Sequence, residues 1–353
     1  MSFLGFGKKE SYLGIDLGTT SIKVIELKKE KGVPTLVTYG YAERAMGEVV
    51  RGSPEEVQQR TVSLLRRLCK EVGVSSHKAV TALPNFSVFS SVISLPMMPP
   101  KELAAAISWE AKKIVPLPLE EVILDWKILG ETSKTPAEIE IKKKANYQVL
   151  LTAASKSLVQ KYVEIFRLAG LELLSLETEA FALVRSLIGG DDSVIMILDT
   201  SAVTTDIIII KKRIPIFNRS IDVGGVTVTR AIANSLGIDF ERAEQFKRDI
   251  GMRGSSKIPQ VIEQAFRPIV DEIRYSIEHF QNQYRENVEK IVLSGGSVYL
   301  PNLPEYFSNA LNLKVIIGDP WAKISYPAEI RPALEEIAPR FAVAIGLALR
   351  ELE

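Results

Sequence analysis

Two stretches of the chain share one pattern of apolar strands joined by a turn of small residues. The first, Tyr12–Leu27, contains a short strand, a Gly-Thr-Thr-Ser turn and a returning strand. The second, Ile195–Ile210, repeats this order with two strongly apolar strands around a tight turn. Further strands follow around Thr35–Ala42 and Pro215–Ile221. The repeated pattern predicts an internal duplication of one α/β unit.

Helices separate these strand groups. Ser53, Pro54 and the two glutamates after them have the composition of a helix start, because serine caps free amides and acids favour the positive helix end. This helix is expected to end near Gly73. The longest helix spans roughly Pro259–Arg285, with apolar residues on one face. A buried strand, Lys290–Ser294, and a closing helix around Phe341 follow.

The stretch Lys78–Gly170 has a different character. It predicts strands and helices of its own: strands Val88–Leu95, Ile123–Leu129 and Tyr147–Ala153, a helix ending at Pro116, and a helix Lys156–Ala169. The charged segment Glu131–Lys144 is predicted as a hairpin tip or disordered loop. Such a block indicates a small subdomain inserted into a larger one.

The predicted fold is therefore α/β and duplicated, with two domains that each combine a mixed sheet with flanking helices. Residues 1–77, 171–190 and 335–353 are assigned to the first domain, and 191–334 to the second. Residues 78–170 form the inserted subdomain.

Composition narrows the function classes. A formal net charge of +1 over 353 residues gives no long-range attraction to nucleic acid or anionic lipid. The single cysteine, Cys69, excludes an intramolecular disulfide, and the two histidines are too far apart to indicate a zinc site. No segment has the roughly 20 apolar residues that span a bilayer. These features predict a cytoplasmic protein.

The first hairpin has the composition of a phosphate-binding loop. Its glycine and hydroxyl residues expose backbone amides that bind phosphate oxygens. The residues of this loop and the lysine after it are Gly18, Thr19, Thr20, Ser21 and Lys23. Asp16 ends the first strand, where its carboxylate would hold Mg²⁺ through water. The alternative is an ordinary hairpin without chemistry.

A second glycine-rich turn follows the buried strand Lys290–Ser294. Gly295 and Gly296 let the backbone approach a ligand closely, and Ser297 follows them. On the helix around Asp239–Gly251, Glu244 and Lys247 are three residues apart and share one face. They are expected to reach one ligand, or to form a solvated charge pair.

In this order the segments resemble the nucleotide-binding set of the actin superfamily, with its ribonuclease H-like fold. The likeness extends from about Tyr12 to Leu352 and is greatest to the branch that contains the FtsA and PilM families. The last residues, Gly346–Glu353, are expected to lie in a closing core helix and not in an amphipathic membrane helix such as that of FtsA. The run from Leu95 to Leu103, with Trp109 and Pro116 after it, is similar to the PilM family.

The resemblance implies ATP and Mg²⁺ as ligands, and it assigns roles to residues. Asp199 joins Asp16 at the metal, and Glu244 and Lys247 line the adenine and ribose pocket. Glu179 is the candidate to position an attacking water, the alternative being an ordinary carboxylate at a helix start. The remaining nucleotide-binding residues that it implies are Ser201, Ala202, Thr204, Gly224 and Gly225.

The second hairpin departs from the superfamily pattern. Where the superfamily has a glycine run between two aspartates, this chain has Ser201, Ala202 and Val203. A β-branched valine does not take the φ > 0 conformations open to glycine, so the loop is expected to lie farther from a terminal phosphate. This argues against rapid hydrolysis, though not against binding, and predicts at most a weak ATPase.

A PilM-like protein is also expected to bind the N-terminal cytoplasmic peptide of PilN, a single-span inner-membrane protein. The resemblance places the groove between the subdomains called 1A and 1C, and Lys78–Gly170 has the position and size of 1C. Apolar residues near that junction are Phe86, Val88, Phe89 and Met98, which are groove candidates unless they are core. Pilus ATPases and other platform proteins are further partners, and contact with the inner face of the membrane would be indirect.

Two other functions use the same fold. A filament-forming cytoskeletal protein similar to FtsA or MreB is one alternative, because actin-like folds associate head to tail. An actin-fold kinase for a small molecule is the other, although no aspartate has the context of its catalytic base.

Overall fold

A computed structural model describes residues 10–44, 53–131, 146–254 and 257–353. Of the charged segment Glu131–Lys144, only Glu131 is among the described residues, so the loop predicted there lies outside them. Within the described parts, no helix combines the length and apolar character needed to cross a bilayer.

The first sheet contains both strands of the first hairpin. Its strands are β1 (Ser11–Leu17), β2 (Ser21–Glu30), β3 (Val33–Glu43), β4 (Lys78–Leu83) and β8 (Glu172–Thr178). They lie in the order β3-β2-β1-β4-β8. The hairpin strands pair antiparallel, whereas β4 is parallel to both β1 and β8. The register sets Asp16 opposite Lys23.

The second sheet repeats this arrangement. Its strands are β9 (Ile195–Thr200), β10 (Thr205–Lys211), β11 (Ile214–Ile221), β12 (Lys290–Ser294) and β13 (Lys314–Ile317). Their order is β11-β10-β9-β12-β13, with β12 parallel to β9 and to β13. Asp199 lies opposite Asp206. The two sheets have the same topology, which confirms the predicted duplication and fold class.

A third sheet belongs to the predicted insertion. It contains β5 (Val88–Pro96), β6 (Val122–Glu131) and β7 (Asn146–Ser155), in the order β5-β7-β6, covered by helix α2 (Pro100–Ile114). The strand β4 at the start of the range 78–170 lies in the first sheet. Helix α3 (Lys156–Ala169), at its end, packs Ile165 and Phe166 into the core of that sheet. These contacts place the junctions of the insertion next to the first hairpin.

Helices cover both large sheets. In chain order they are α1 (Pro54–Glu71), α4 (Glu179–Leu187), α5 (Gly225–Leu236), α6 (Phe240–Ile250), α7 (Lys257–Tyr284), α8 (Leu303–Leu311), α9 (Arg331–Ile337) and α10 (Ala342–Leu349). The predicted cap of α1 is present, since Ser53 and Glu56 exchange side-chain to backbone hydrogen bonds.

Helix α10 is buried along its whole length. Glycines allow this burial at two crossings. A Cβ on Gly346 would lie 1.9 Å from the carbonyl oxygen of Ala182 on α4, and one on Gly14 would lie 1.9 Å from that of Ala344. The first sheet and α4 therefore pack backbone to backbone against α10, and apolar residues of β9 and β10 pack against the same helix.

Candidate nucleotide site

Four predicted segments converge around Gly225, the first residue of α5. A Cβ on Gly225 would lie 3.2 Å from Ser297 Oγ, 3.5 Å from Lys247 Nζ and 3.8 Å from the carbonyl oxygen of Ser201. These neighbours come from the Gly295–Ser297 turn, from α6 and from the second hairpin. Residues predicted from distant parts of the sequence thus form one cluster.

The Gly295 turn lies directly against the end of β9. Gly295 has φ = 88°, a conformation that favours glycine, and a Cβ there would be 2.3 Å from the carbonyl oxygen of Thr200. Its amide donates to the carbonyl oxygen of Pro339 at 3.1 Å. Gly295 is therefore required both for its conformation and for close approach to the second hairpin.

Lys247 has its charge satisfied inside the cluster. Its Nζ donates to Glu244, to Thr229 Oγ1 at 2.8 Å and to the carbonyl oxygen of Gly225 at 3.1 Å. Burial lowers the pKa of Lys247, and the nearby Glu244 carboxylate opposes that shift. Although burial alone would raise it, the pKa of Glu244 is lowered by Lys247. The pair is therefore a partly buried ion pair beside the start of α5, not the solvated pair that was the alternative.

The first hairpin carries an ion pair at its mouth. Lys23 Nζ lies 2.7 Å from Asp16 Oδ2. A Cβ on Gly18 would be 3.7 Å from both Asp16 Oδ1 and Lys23 Nζ. Within the described chain, the backbone amides of Gly18, Thr19 and Thr20 have no hydrogen-bond partner. These three amides are free to bind an anion.

Four buried or half-buried carboxylates from the two halves, Asp16, Glu179, Asp199 and Asp206, interact electrostatically and are called the carboxylate cluster here. Burial, followed by the charge of Asp206, raises the pKa of Asp199 to about 7, whereas Lys23 of the first hairpin opposes this shift. Burial also raises the pKa of Glu179, with added repulsion from Asp206 and Asp16. Acidic groups from both halves therefore interact in a region of low polarity, which favours a bound cation.

The donor set fits Mg²⁺. Asp16 and Asp199 would supply carboxylate oxygens, the hard ligands that Mg²⁺ prefers. Nowhere among the described residues do three Asp, Glu, His or Cys side chains lie close enough to hold a metal by themselves. An ion here would therefore complete its coordination with water and phosphate oxygens, as is usual for Mg²⁺.

Two residues that the sequence did not single out contact this region. Asn85 follows β4 and is 2% exposed. Its backbone amide donates to Glu179 Oε2 at 3.0 Å, and its Oδ1 accepts from the amide of Ala180 at 3.1 Å. Arg340 lies beside the glycine turn, because a Cβ on Gly296 would be 3.6 Å from Arg340 Nε. The sequence signal that could have identified Asn85 is its position, because it is a polar residue that closely follows the buried strand β4.

Glu179 is the first residue of α4, so the helix-start interpretation describes its position. Its carboxylate accepts the Asn85 amide and interacts with Asp206 and Asp16. The residue therefore faces the carboxylate cluster. A role with a water molecule stays a prediction.

The four candidates for a peptide groove occupy different environments. Phe86 is 60% exposed. Val88 is buried in a cluster with Leu83, Ala154 and Tyr162, whereas Phe89 and Met98 pack partly against the core of the insertion. Phe86 is thus the most accessible of the four.

A cavity of about 670 Å³ lies beside the cluster, between β13 and α9. It shares Tyr299 and Pro339 with the surroundings of the Gly295 turn, and Asp319, Trp321 and Arg331 also line it. None of the predicted nucleotide-binding residues lines this cavity. The converging loops, not this cavity, define the candidate site.

Comparisons with known proteins concern the fold and the family of the chain. The solved PilM-PilN type IV pilus biogenesis complex matches with a TM-score of 0.83 and 28% identity over 98% of this chain and 100% of that chain. The ethanolamine utilization protein EutJ from Carboxydothermus hydrogenoformans has a TM-score of 0.54 and 18% identity, over 97% of this chain and 90% of that chain. MreB 5 of Spiroplasma citri bound to AMPPNP has a TM-score of 0.53 and 14% identity, over 96% of this chain and 95% of that chain.

The two weaker likenesses show that the fold is actin-like. The family described as type IV pilus assembly protein PilM matches residues 14–352, nearly the whole sequence. The chain therefore belongs to the PilM family of type IV pilus assembly proteins.

Proposed function

We propose that this chain is a nucleotide-binding scaffold of the type IV pilus inner-membrane platform, which binds the N-terminal cytoplasmic peptide of a PilN-like protein. The observation that carries the proposal is the full-length similarity to the solved PilM-PilN complex, together with membership of the family. The scaffold would lie at the cytoplasmic face of the membrane and contact it through this partner. Pilus ATPases and other platform proteins are further candidate partners.

The proposed ligand of the candidate nucleotide site is ATP with Mg²⁺. Three observations support it: the free amides of Gly18, Thr19 and Thr20, the cluster around Gly225, and the electrostatic repulsion of Asp199 by Asp16, which helps to raise the pKa of Asp199. The two aspartates would hold the ion, which neutralises phosphate charge when it is bound. Lys247 and Glu244 would face the nucleoside, beside the start of α5.

Calorimetric titration of the purified chain with ATP tests this ligand. We expect saturable binding that weakens when EDTA removes Mg²⁺. Binding is expected to be lost on Gly225→Val, because that side chain would fill the space between Ser297 and Lys247. A Cβ on Gly190 would have no atom within 4 Å, so Gly190→Ala is the matched glycine control. No heat or saturation with wild-type protein would contradict nucleotide binding.

The proposed peptide surface lies where the insertion meets the first domain. Phe86 is exposed there, directly after Asn85, which contacts the carboxylate cluster. Strand β5 forms one edge of the three-stranded sheet, and an extended peptide binds such an edge by backbone pairing. The two neighbouring residues Asn85 and Phe86 thus contact the carboxylate cluster and the candidate partner surface, respectively.

Fluorescence anisotropy with a labelled N-terminal peptide of the PilN-like protein from the same genome tests the partner. Wild-type protein is expected to bind it saturably and to ignore a scrambled peptide. Phe86→Ala should weaken binding about tenfold or more, as expected for an exposed aromatic anchor. Tyr275→Ala is the control, since Tyr275 is 52% exposed on α7 in the other half. Equal binding of the native and scrambled peptides would argue against the assignment.

Nucleotide and peptide are expected to influence each other. Any such coupling is reciprocal, so ATP must change peptide affinity by the factor by which peptide changes ATP affinity. Titrating the peptide in the presence and absence of saturating ATP measures that factor. Equal affinities under both conditions would describe a scaffold whose nucleotide does not regulate this partner.

A further inference from the structure

The turns of the first and second hairpins offer very different numbers of free backbone N–H donors. In the first hairpin the amides of Gly18, Thr19 and Thr20 have no partner within the described parts of the chain. In the second hairpin, three of the four amides from Ser201 to Thr204 are bonded inside the loop. Phosphate oxygens need such amides, so the two loops differ in what they can bind.

Ser201 is the residue that consumes these donors. Its Oγ accepts the amide of Val203 at 3.3 Å and the amide of Thr204 at 3.1 Å. The same hydroxyl lies 3.0 Å from the carbonyl oxygen of Thr204, to which it donates. The Ser201 amide donates to that carbonyl as well, at 2.9 Å. One serine side chain thus closes the loop on itself.

Helix α5 holds the closed loop from behind. The amide of Gly225 donates to the carbonyl oxygen of Ser201 at 3.0 Å, and that of Val226 donates to the carbonyl oxygen of Ala202 at 2.8 Å. Gly224 permits this contact, because a Cβ there would lie 2.7 Å from backbone atoms of Ala202 and Val203. The first amides of α5, a common anion site, therefore bind protein oxygens instead.

Charge acts in the same direction. The carboxyl groups of Asp199, which is half-buried, and Asp206, which is buried, lie opposite each other on the strands that flank this loop. The terminal phosphate group of ATP, if placed at the second hairpin, would lie near these acidic groups and near one free amide of the loop, that of Ala202. At the first hairpin the same group would meet three amides and Lys23.

From these contacts we infer that Ser201 keeps the second hairpin closed, so that the chain holds nucleotide phosphates with the first hairpin and does not distinguish ATP from ADP by affinity. This inference rests on the proposed nucleotide binding and adds a specificity-determining residue to it. Such a site would respond to the presence of adenine nucleotide and not to its phosphorylation state.

Binding titrations with ADP and with the non-hydrolysable analogue AMPPNP, both with Mg²⁺, test this inference. For the wild-type chain we expect affinities within about threefold of each other. In Ser201→Ala the amides of Val203 and Thr204 lose their acceptor, while the backbone bond from Ser201 to Thr204 remains. The affinity for AMPPNP relative to that for ADP should then rise about tenfold, equivalent to about 1.4 kcal/mol. Ser201→Thr keeps a hydroxyl and should behave as wild type.

A structural readout accompanies the titrations. The ¹⁵N amide signals of Gly18, Thr19 and Thr20 should shift with either nucleotide, whereas those of Val203 and Thr204 should shift with AMPPNP only in Ser201→Ala. Wild-type protein that binds AMPPNP more than tenfold tighter than ADP would overturn the inference and leave nucleotide binding intact. The same holds if Ser201→Ala keeps the wild-type ratio. Absence of binding to both nucleotides would instead overturn the proposed ligand. The ratio of the AMPPNP and ADP affinities of the wild-type chain tests the inference even if a variant does not fold.

Discussion

Asp16 and Lys23 face each other across the first hairpin, with Lys23 Nζ 2.7 Å from Asp16 Oδ2. The β1–β2 register makes them direct neighbours. The lysine therefore sits where a cation would neutralise Asp16, next to the free amides of the loop. The proposed binding of Mg²⁺ with a nucleotide would have to displace or rearrange this pair.

The first prediction follows from that relationship. Asp16→Ala should weaken binding of nucleotide with Mg²⁺ about tenfold or more, and should affect binding without Mg²⁺ much less, because the carboxylate acts through the ion. Titrations with Mg²⁺ and with EDTA measure both. Asp271→Ala is the control, as this carboxylate is exposed on α7. A loss of the same size under both conditions would argue against a metal role.

The second prediction concerns pH and stability. The pKa of Asp199 is raised to about 7, so between roughly pH 4 and pH 7 the folded chain binds a proton that the unfolded chain releases. Its contribution to stability is therefore largest in acid and is lost as pH rises toward 7. Asp199→Asn, which is neutral at all pH values, should be more stable than wild type at pH 8 by about 1–3 kcal/mol.

Urea unfolding at pH 5 and pH 8 checks this sign. The advantage of Asp199→Asn should shrink at pH 5, where the native carboxyl is already protonated. Asp191→Asn is a useful contrast, because its pKa is lowered by hydrogen bonds to Lys290 and Ser193. An advantage for Asp199→Asn that did not change with pH would contradict the argument.

The third prediction compares two glycines. Gly346→Ala would set a methyl group against the Ala182 carbonyl, which a Cβ would approach to 1.9 Å. Overpacking of this kind costs about 1–3 kcal/mol or more, since backbone on both helices must shift. Gly190→Ala should be nearly neutral, because nothing lies within 4 Å of its Cβ position. Thermal unfolding of both variants measures the difference, and equal melting temperatures would refute the close crossing.

The fourth prediction separates two charges on α6. Lys247→Met would remove the hydrogen bonds that Lys247 Nζ donates to Glu244, Thr229 and the Gly225 carbonyl, costing about 1–3 kcal/mol of stability. It should also weaken nucleotide binding. Arg248 pairs with the same glutamate but is 65% exposed, so Arg248→Met should change stability by less than about 1 kcal/mol. Chemical unfolding and nucleotide titration of both variants provide the test.

Much of the fold was predictable because its signals are local. Both hairpins, the Ser53 cap and the strand Lys290–Ser294 depend on neighbouring residues in the sequence, and the structure confirms them. The strands β4, β8 and β13 were missed. Each is a short run that becomes a strand through pairing with a distant strand, as β4 does between β1 and β8.

The site was predictable only in part. The segments around Gly18, Ser201, Gly225 and Gly295 were identified from composition and from resemblance to a family. The last three converge because β12 pairs with β9 and α5 packs against the second hairpin, and no local signal indicates these long-range contacts. The closure of the second hairpin by Ser201 could not be predicted, because it depends on which way a single hydroxyl points. Val203 was expected to keep this loop from a terminal phosphate, whereas the serine is the residue that occupies its amides.

The last prediction concerns Asn85, which connects β4 to the start of α4. Its Oδ1 accepts the Ala180 amide at 3.1 Å, and its side chain lies close enough to Asp206 to oppose the rise in the pKa of that carboxyl. Asn85→Ala removes the acceptor and should cost about 1–2 kcal/mol. Asn85→Asp keeps an acceptor but adds a carboxyl group beside Glu179 and Asp206, whose pKa values burial already raises. Its penalty should therefore exceed that of Asn85→Ala at pH 8 and fall at pH 5, where the new group is protonated. Urea unfolding at both pH values distinguishes this from a simple loss of packing, which would give Asn85→Asp the same penalty in acid and in base.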